Sequence, residues 1–125
     1  MPKAMRRDWP DFALRSARAI LKYPPSETTV DWLGAMFGAT PLPVAIATLD
    51  ILAQFEPTAI APRVTVPTLF IHGQDDDIVP PDVSRSCAAL MPDAKVELVE
   101  RSGHLAVLDQ PVRVTELIAA FAAGS

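Results

Sequence analysis

Val66-Pro67-Thr68-Leu69-Phe70-Ile71-His72-Gly73-Gln74-Asp75-Asp76-Asp77-Ile78-Val79-Pro80 is the stretch on which the fold turns. Its apolar residues run on without alternation up to Ile71, the pattern of a short strand covered on both faces in a parallel sheet. His72-Gly73 closes that run. Downstream, Val83, Cys87, Leu90 and Met91 mark one face of a helix that Pro92 stops, and Val96-Glu97-Leu98-Val99 reads as a second strand. Strand, helix and strand within about 35 residues form a βαβ unit, which joins parallel strands by a right-handed crossover. Pro111 then opens a last helix, with Val114, Leu117, Ile118 and Phe121 expected on its buried side and Asp109 as its cap.

Upstream, the period changes from that of strands to that of helices. Asp8 is placed to cap a helix carrying Phe12, Ala13, Ala17, Ile20 and Leu21 at helical spacing, ended by Pro24-Pro25. Ser26 caps a second, with Val30, Leu33 and Phe37 on one face and Gly38 positioned to close it. Thr40 is expected to cap a third that begins at Pro41, with Val44, Leu49, Leu52 and Phe55 as its apolar stripe. Trp9, Trp32 and Phe37 read as packing residues. A looser passage from Pro57 to Pro62 leads into the first strand. The expected organisation is a helical segment over 1–62 followed by a β-α-β-α unit over 63–125. Two strands leave a parallel sheet with open edges, so the chain reads as the tail of a larger α/β protein.

Composition narrows the function classes. The 125 residues carry 15 acidic and 11 basic side chains, a net charge of −4, and half of them are apolar. Such a chain buries enough apolar surface to fold, so disorder is excluded. No basic stripe faces nucleic acid. No apolar run nears the roughly 18 residues of a membrane span. A single cysteine, Cys87, allows no disulfide and no thiol-pair zinc site, and it sits on a buried helix stripe where it acts as a small hydrophobe. Met1 to Pro10 is basic but lacks the apolar core of a secretory signal, so a cytoplasmic protein is expected if nothing precedes Met1.

The candidate chemistry lies just beyond the two strands. Asp76 follows Gly73 by three residues, and His104 follows Gly103 past the second strand. Neighbouring strands are about 4.8 Å apart, so their exit loops can meet on the carboxyl rim, where doubly wound sheets build their sites. A carboxylate against an imidazole fixes the tautomer with hydrogen on Nδ1 and stabilises the imidazolium formed when Nε2 takes a proton. Asp75 and Asp77 remain alternatives for the acid, because three consecutive carboxylates blur the register. His72 beside this triplet hints at a metal, yet no Asp-x-Asp-x-Asp-Gly loop or His-Glu-x-x-His pattern is present, and no metal is expected. Ser84 and Ser86 fall on the helix between the strands, where a nucleophile is not expected.

The segment Val66 to Pro80, then Met91-Pro92-Asp93-Ala94-Lys95-Val96-Glu97-Leu98-Val99-Glu100-Arg101-Ser102-Gly103-His104-Leu105, then Asp109-Gln110-Pro111 resembles the C-terminal third of an α/β-hydrolase. The likeness covers roughly residues 64–122, and the preceding helices are similar to the cap of esterase and cofactor-free haloperoxidase-like members. By that resemblance Asp76 corresponds to the triad acid and His104 to the triad base. The family order is Ser, acid, His, with Ser on a G-x-S-x-G elbow. No such elbow occurs here: Gly34-Ala35-Met36-Phe37-Gly38 has the spacing with Met36 at its centre, and the family's early His-Gly oxyanion segment is missing. The resemblance therefore implies the acid and base of an ester or related acyl hydrolase, without cofactor, acting on a small ester-like substrate in a fuller form. Perhydrolysis, C–C cleavage and acyl transfer share the same triad. Without its nucleophile the chain is expected to be inactive alone. The alternative expectation is a non-catalytic relic whose open strand edge pairs with a second copy or a complementing chain.

Overall fold

The computed structural model describes residues 2–124. The order of elements is α1 (Pro2–Arg7), α2 (Trp9–Ile20), α3 (Glu27–Ala39), α4 (Leu42–Leu52), β1 (Thr68–Gly73), α5 (Asp82–Ala89), β2 (Ala94–Val99), α6 (Ala106–Asp109) and α7 (Pro111–Ala122), with two single-turn 3₁₀ segments at Pro57–Ala59 and Ala61–Arg63. Contacts divide these into two compact units. One comprises the residues up to Ala19 with Pro24–Phe55; the other comprises Ile20–Tyr23 with everything from Glu56 onward. Among the described residues no single helix is long and apolar enough to cross a membrane.

The helical unit follows its caps in part. Asp8 Oδ1 accepts the Asp11 N–H at 3.1 Å and Ser26 Oγ accepts the Thr29 N–H at 3.2 Å, each satisfying a donor that the first helical turn leaves open. Ala13 and Ala17 of α2 and Val30 and Leu33 of α3 are buried, as their spacing requires. The third helix departs from expectation. α3 runs through Gly38 to Ala39, and Thr40 is its C-cap, donating its N–H to the Phe37 carbonyl. Pro41, not Thr40, is then the N-cap of α4, without a side-chain bond. The Thr40 carbonyl instead accepts the Trp9 indole N–H at 2.9 Å. α4 buries none of its residues, and Val44, Leu52 and Phe55 of the expected stripe are exposed. Trp32 also lies on the surface, 52% exposed, rather than in packing.

In the other unit β1 and β2 pair in parallel, Thr68 with Ala94 through Gly73 with Val99. α5 crosses between them, as the βαβ reading requires. Val99, Val114 and Leu117 form the buried centre, with Leu69, Ile71 and Ala106 packed on it. Two strands leave β1 incompletely covered: only Gly73 is fully buried, and Thr68 to His72 are half-buried, not enclosed on both faces as the apolar run suggested. Along α7 the stripe is narrower than its sequence pattern, since Ile118 is exposed.

Candidate functional site

Both strands end on the same rim, and their exit loops are stitched together before either reaches its polar side chains. The Gln74 N–H donates to the Val99 carbonyl and the Asp75 N–H to the Ser102 carbonyl, both at 2.9 Å. Gly73 makes this approach sterically possible. A Cβ there would lie 2.0 Å from the Gly103 carbonyl oxygen and 2.5 Å from that of Ser102, both backbone atoms that cannot swing aside.

The chain then tightens around Asp76. Its Oδ1 accepts the backbone N–H groups of Ile78 and Val79, each at 2.9 Å, so the residues after it curl around the carboxylate. Its Oδ2 lies 2.9 Å from His104 Nδ1. The Asp76 side chain is only 3% exposed and that of His104 is 34% exposed. Burial alone would raise the Asp76 pKa. The Val79 N–H, His104 and the Ile78 N–H together outweigh it, and the carboxyl is held below its ordinary value. An ionised carboxylate only accepts, so the proton between the two residues belongs to His104 Nδ1. No described residue bonds His104 Nε2.

The three consecutive aspartates have different partners. Asp75 Oδ2 accepts the Tyr23 hydroxyl at 2.9 Å, and Asp77 Oδ2 pairs with Lys22 Nζ at 2.6 Å. Those contacts raise the Tyr23 and Lys22 pKa values. Only Asp76 meets an imidazole on this rim. Lys22 and Tyr23 belong to the short Ile20–Tyr23 segment that packs with the strand-bearing unit. It runs so close that a Cβ on Gly103 would come within 2.9 Å of Lys22 Cβ.

Asp109 does not cap the last helix. It ends α6, and the N-cap of α7 is Gln110, which makes no side-chain bond there. The buried Asp109 carboxylate turns inward instead. Its Oδ2 accepts the Gly103 N–H at 2.7 Å and its Oδ1 the Tyr23 N–H at 3.2 Å, fixing the residue that precedes His104. Arg101 adopts φ 52°, a left-handed turn in the same loop, and its guanidinium sits 5.6 Å from the centre of the Tyr23 ring. Sequence spacing could not separate this role of Asp109 from capping, because a carboxylate just before a helix-starting proline suits both.

His72, set aside at the sequence level, is part of the same cluster. Its Nε2 is 2.8 Å from the Val79 carbonyl and 3.2 Å from Asp76 Oδ2, and its Nδ1 is 2.7 Å from Ser84 Oγ. A cleft of about 330 Å³ opens beside the group, lined by both histidines, Asp76, Ile71, Val79 and Val114. Among the described residues no three His, Cys, Asp or Glu side chains are grouped to hold a metal ion.

The sequence pattern describing the alpha/beta hydrolase fold matches residues 5–111. The chain belongs to the alpha/beta hydrolase family. A RutD protein of Pseudomonas syringae pv. syringae, which bears the name of a carbamate hydrolase, is 34% identical over 73 residues, covering 58% of this chain and 28% of that protein. The esterase EaEST of Exiguobacterium antarcticum superposes with a TM-score of 0.89 at 20% identity, over 96% of this chain and 45% of its own. A thermophilic esterase of Thermogutta terrifontis does so with a TM-score of 0.80 at 25% identity, over 98% and 47%. This alpha/beta hydrolase chain thus spans less than half the length of each of these relatives.

Proposed function

We propose that this chain supplies the acid and the base of a serine-type acyl hydrolase. The carrying observation is the 2.9 Å contact between a buried, ionised Asp76 and His104 Nδ1, with Nε2 left uncommitted. In this reading His104 Nε2 takes the proton from a nucleophilic hydroxyl as that oxygen bonds the substrate's carbonyl carbon. Asp76 stabilises the imidazolium so formed. The proton then passes to the leaving oxygen as its bond to carbon breaks, and water hydrolyses the acyl intermediate by the same path in reverse. The names of the relatives, carbamate hydrolase and esterase, support an acyl substrate. The nucleophile is assigned to residues outside this sequence, since no G-x-S-x-G is present within it.

Two assays test the reading. In a polypeptide that carries this segment behind a G-x-S-x-G elbow, His104→Ala lowers kcat for a p-nitrophenyl ester by about 10³-fold or more; an unchanged kcat overturns the assignment. The chain by itself turns the ester over no faster than free imidazole, and strong His104-dependent turnover would contradict the placement of the nucleophile.

A second reading is self-association without catalysis, favoured by the two paired strands having no further strand beside them among the described residues and by Val66, 63% exposed, leading into β1. Sedimentation at micromolar concentration decides it: a dimer supports it, and a monomer at every concentration contradicts it.

A further inference from the structure

We propose that His72 is a positioning residue for Asp76, a role that rests on the acid-and-base reading above. Both oxygens facing His72 Nε2, the Val79 carbonyl at 2.8 Å and Asp76 Oδ2 at 3.2 Å, are acceptors only. Nε2 therefore carries a hydrogen. The Val79 carbonyl receives it, and Oδ2 faces the positive end of the same N–H dipole. On the other side of the ring, Nδ1 meets the buried Ser84 hydroxyl of α5 at 2.7 Å. In the neutral ring Nδ1 is an acceptor, so Ser84 donates and holds the tautomer.

The consequence is a chain of fixed contacts ending on the acid. α5 holds the imidazole through Ser84, the imidazole holds Val79 by its carbonyl, and Val79 holds Asp76 Oδ1 by its N–H at 2.9 Å. The His72 side chain is 12% exposed, so little water competes for these contacts. The N–H beside Oδ2 steadies that oxygen on the line to His104 Nδ1. The opposite tautomer would turn a lone pair toward two oxygen acceptors and release the turn.

The chain contains only two histidines, so the ¹⁵N shifts of both rings can be assigned by substitution and read at pH 8. In the wild-type chain His72 is expected with hydrogen on Nε2 and His104 with hydrogen on Nδ1. In His72→Leu, which supplies no donor, the neutral His104 ring is expected to shift toward the form protonated on Nε2. In His72→Gln, whose amide N–H can reach the position of Nε2, His104 keeps its hydrogen on Nδ1. A merely structural role would lower the melting temperature of both variants and leave the His104 tautomer alone. The proposal is overturned if folded His72→Leu retains the wild-type His104 tautomer, or if wild-type His72 carries its hydrogen on Nδ1. Should His72→Leu not fold, loss of the His104 tautomer in His72→Gln overturns it instead. The ester assays are separate: His104→Ala can fail to reduce turnover while these spectra still report on His72, and the reverse.

Discussion

At the scale of single residues, Asp109 carries more of the site than its place before a proline suggests. It is the acceptor for two backbone donors, the part-buried Tyr23 N–H and the buried N–H immediately before His104. Asp109→Ala orphans both, and a buried N–H without a partner costs about 1–3 kcal/mol. Urea unfolding is expected to show a loss of about 2–4 kcal/mol. A loss within experimental error would mean that water replaces the carboxylate. Asp76 gives a prediction of a different kind. Its folded pKa lies below its unfolded value. The stabilisation it contributes is therefore present above about pH 4 and is lost as pH falls through the lowered folded value. Unfolding measured from pH 6 down to pH 2 should show a shallower decline in Asp76→Asn than in wild type, and identical slopes would contradict the assigned shift. Among the three aspartates the spacing of the family that the sequence resembles selects Asp76; the contacts of Asp75 with Tyr23 and of Asp77 with Lys22, more than 50 positions away in sequence, could not come from counting residues. His72 was hidden for a similar reason: its partner Ser84 lies beyond a turn whose path the local pattern does not specify.

At the scale of elements, the strands were the most legible part, since a β-branched and apolar run ended by glycine leaves few alternatives. Gly73 is required at its position by the backbone that faces it. Gly73→Ala must push the Ser102–Gly103 backbone away from β1 and with it the loop that bears His104. We expect a loss of at least about 3 kcal/mol, or failure to fold, in thermal melts; wild-type stability would show that the loops can part freely. The helical half was read less well. Thr40 has the composition of an N-cap, but it is preceded by a helix that still needs a C-cap, and Thr40 serves that earlier helix. Gly38 suggested the stop, whereas α3 runs one residue further, to Ala39. The stripe on α4 was periodic in sequence, yet Leu49 is only half-buried and Val44, Leu52 and Phe55 are exposed. Periodicity reports that a face is apolar, not that a partner is there.

At the scale of the whole molecule, the family was recoverable from the two strand exits and the residues that follow them, while the helices before residue 64 contributed spacing without chemistry. The acid-and-base pair rests on one interaction, Asp76 Oδ2 with His104 Nδ1, and that interaction can be read directly on the chain. Because Asp76 Oδ1 is committed to the Ile78 and Val79 N–H groups, an asparagine there keeps its carbonyl oxygen on them and turns its amide hydrogens toward His104. The most direct measurement is the ring-nitrogen spectrum of neutral His104 in wild type and in Asp76→Asn. Hydrogen on Nδ1 in the first and on Nε2 in the second is the predicted result; hydrogen on Nε2 in both would contradict the account.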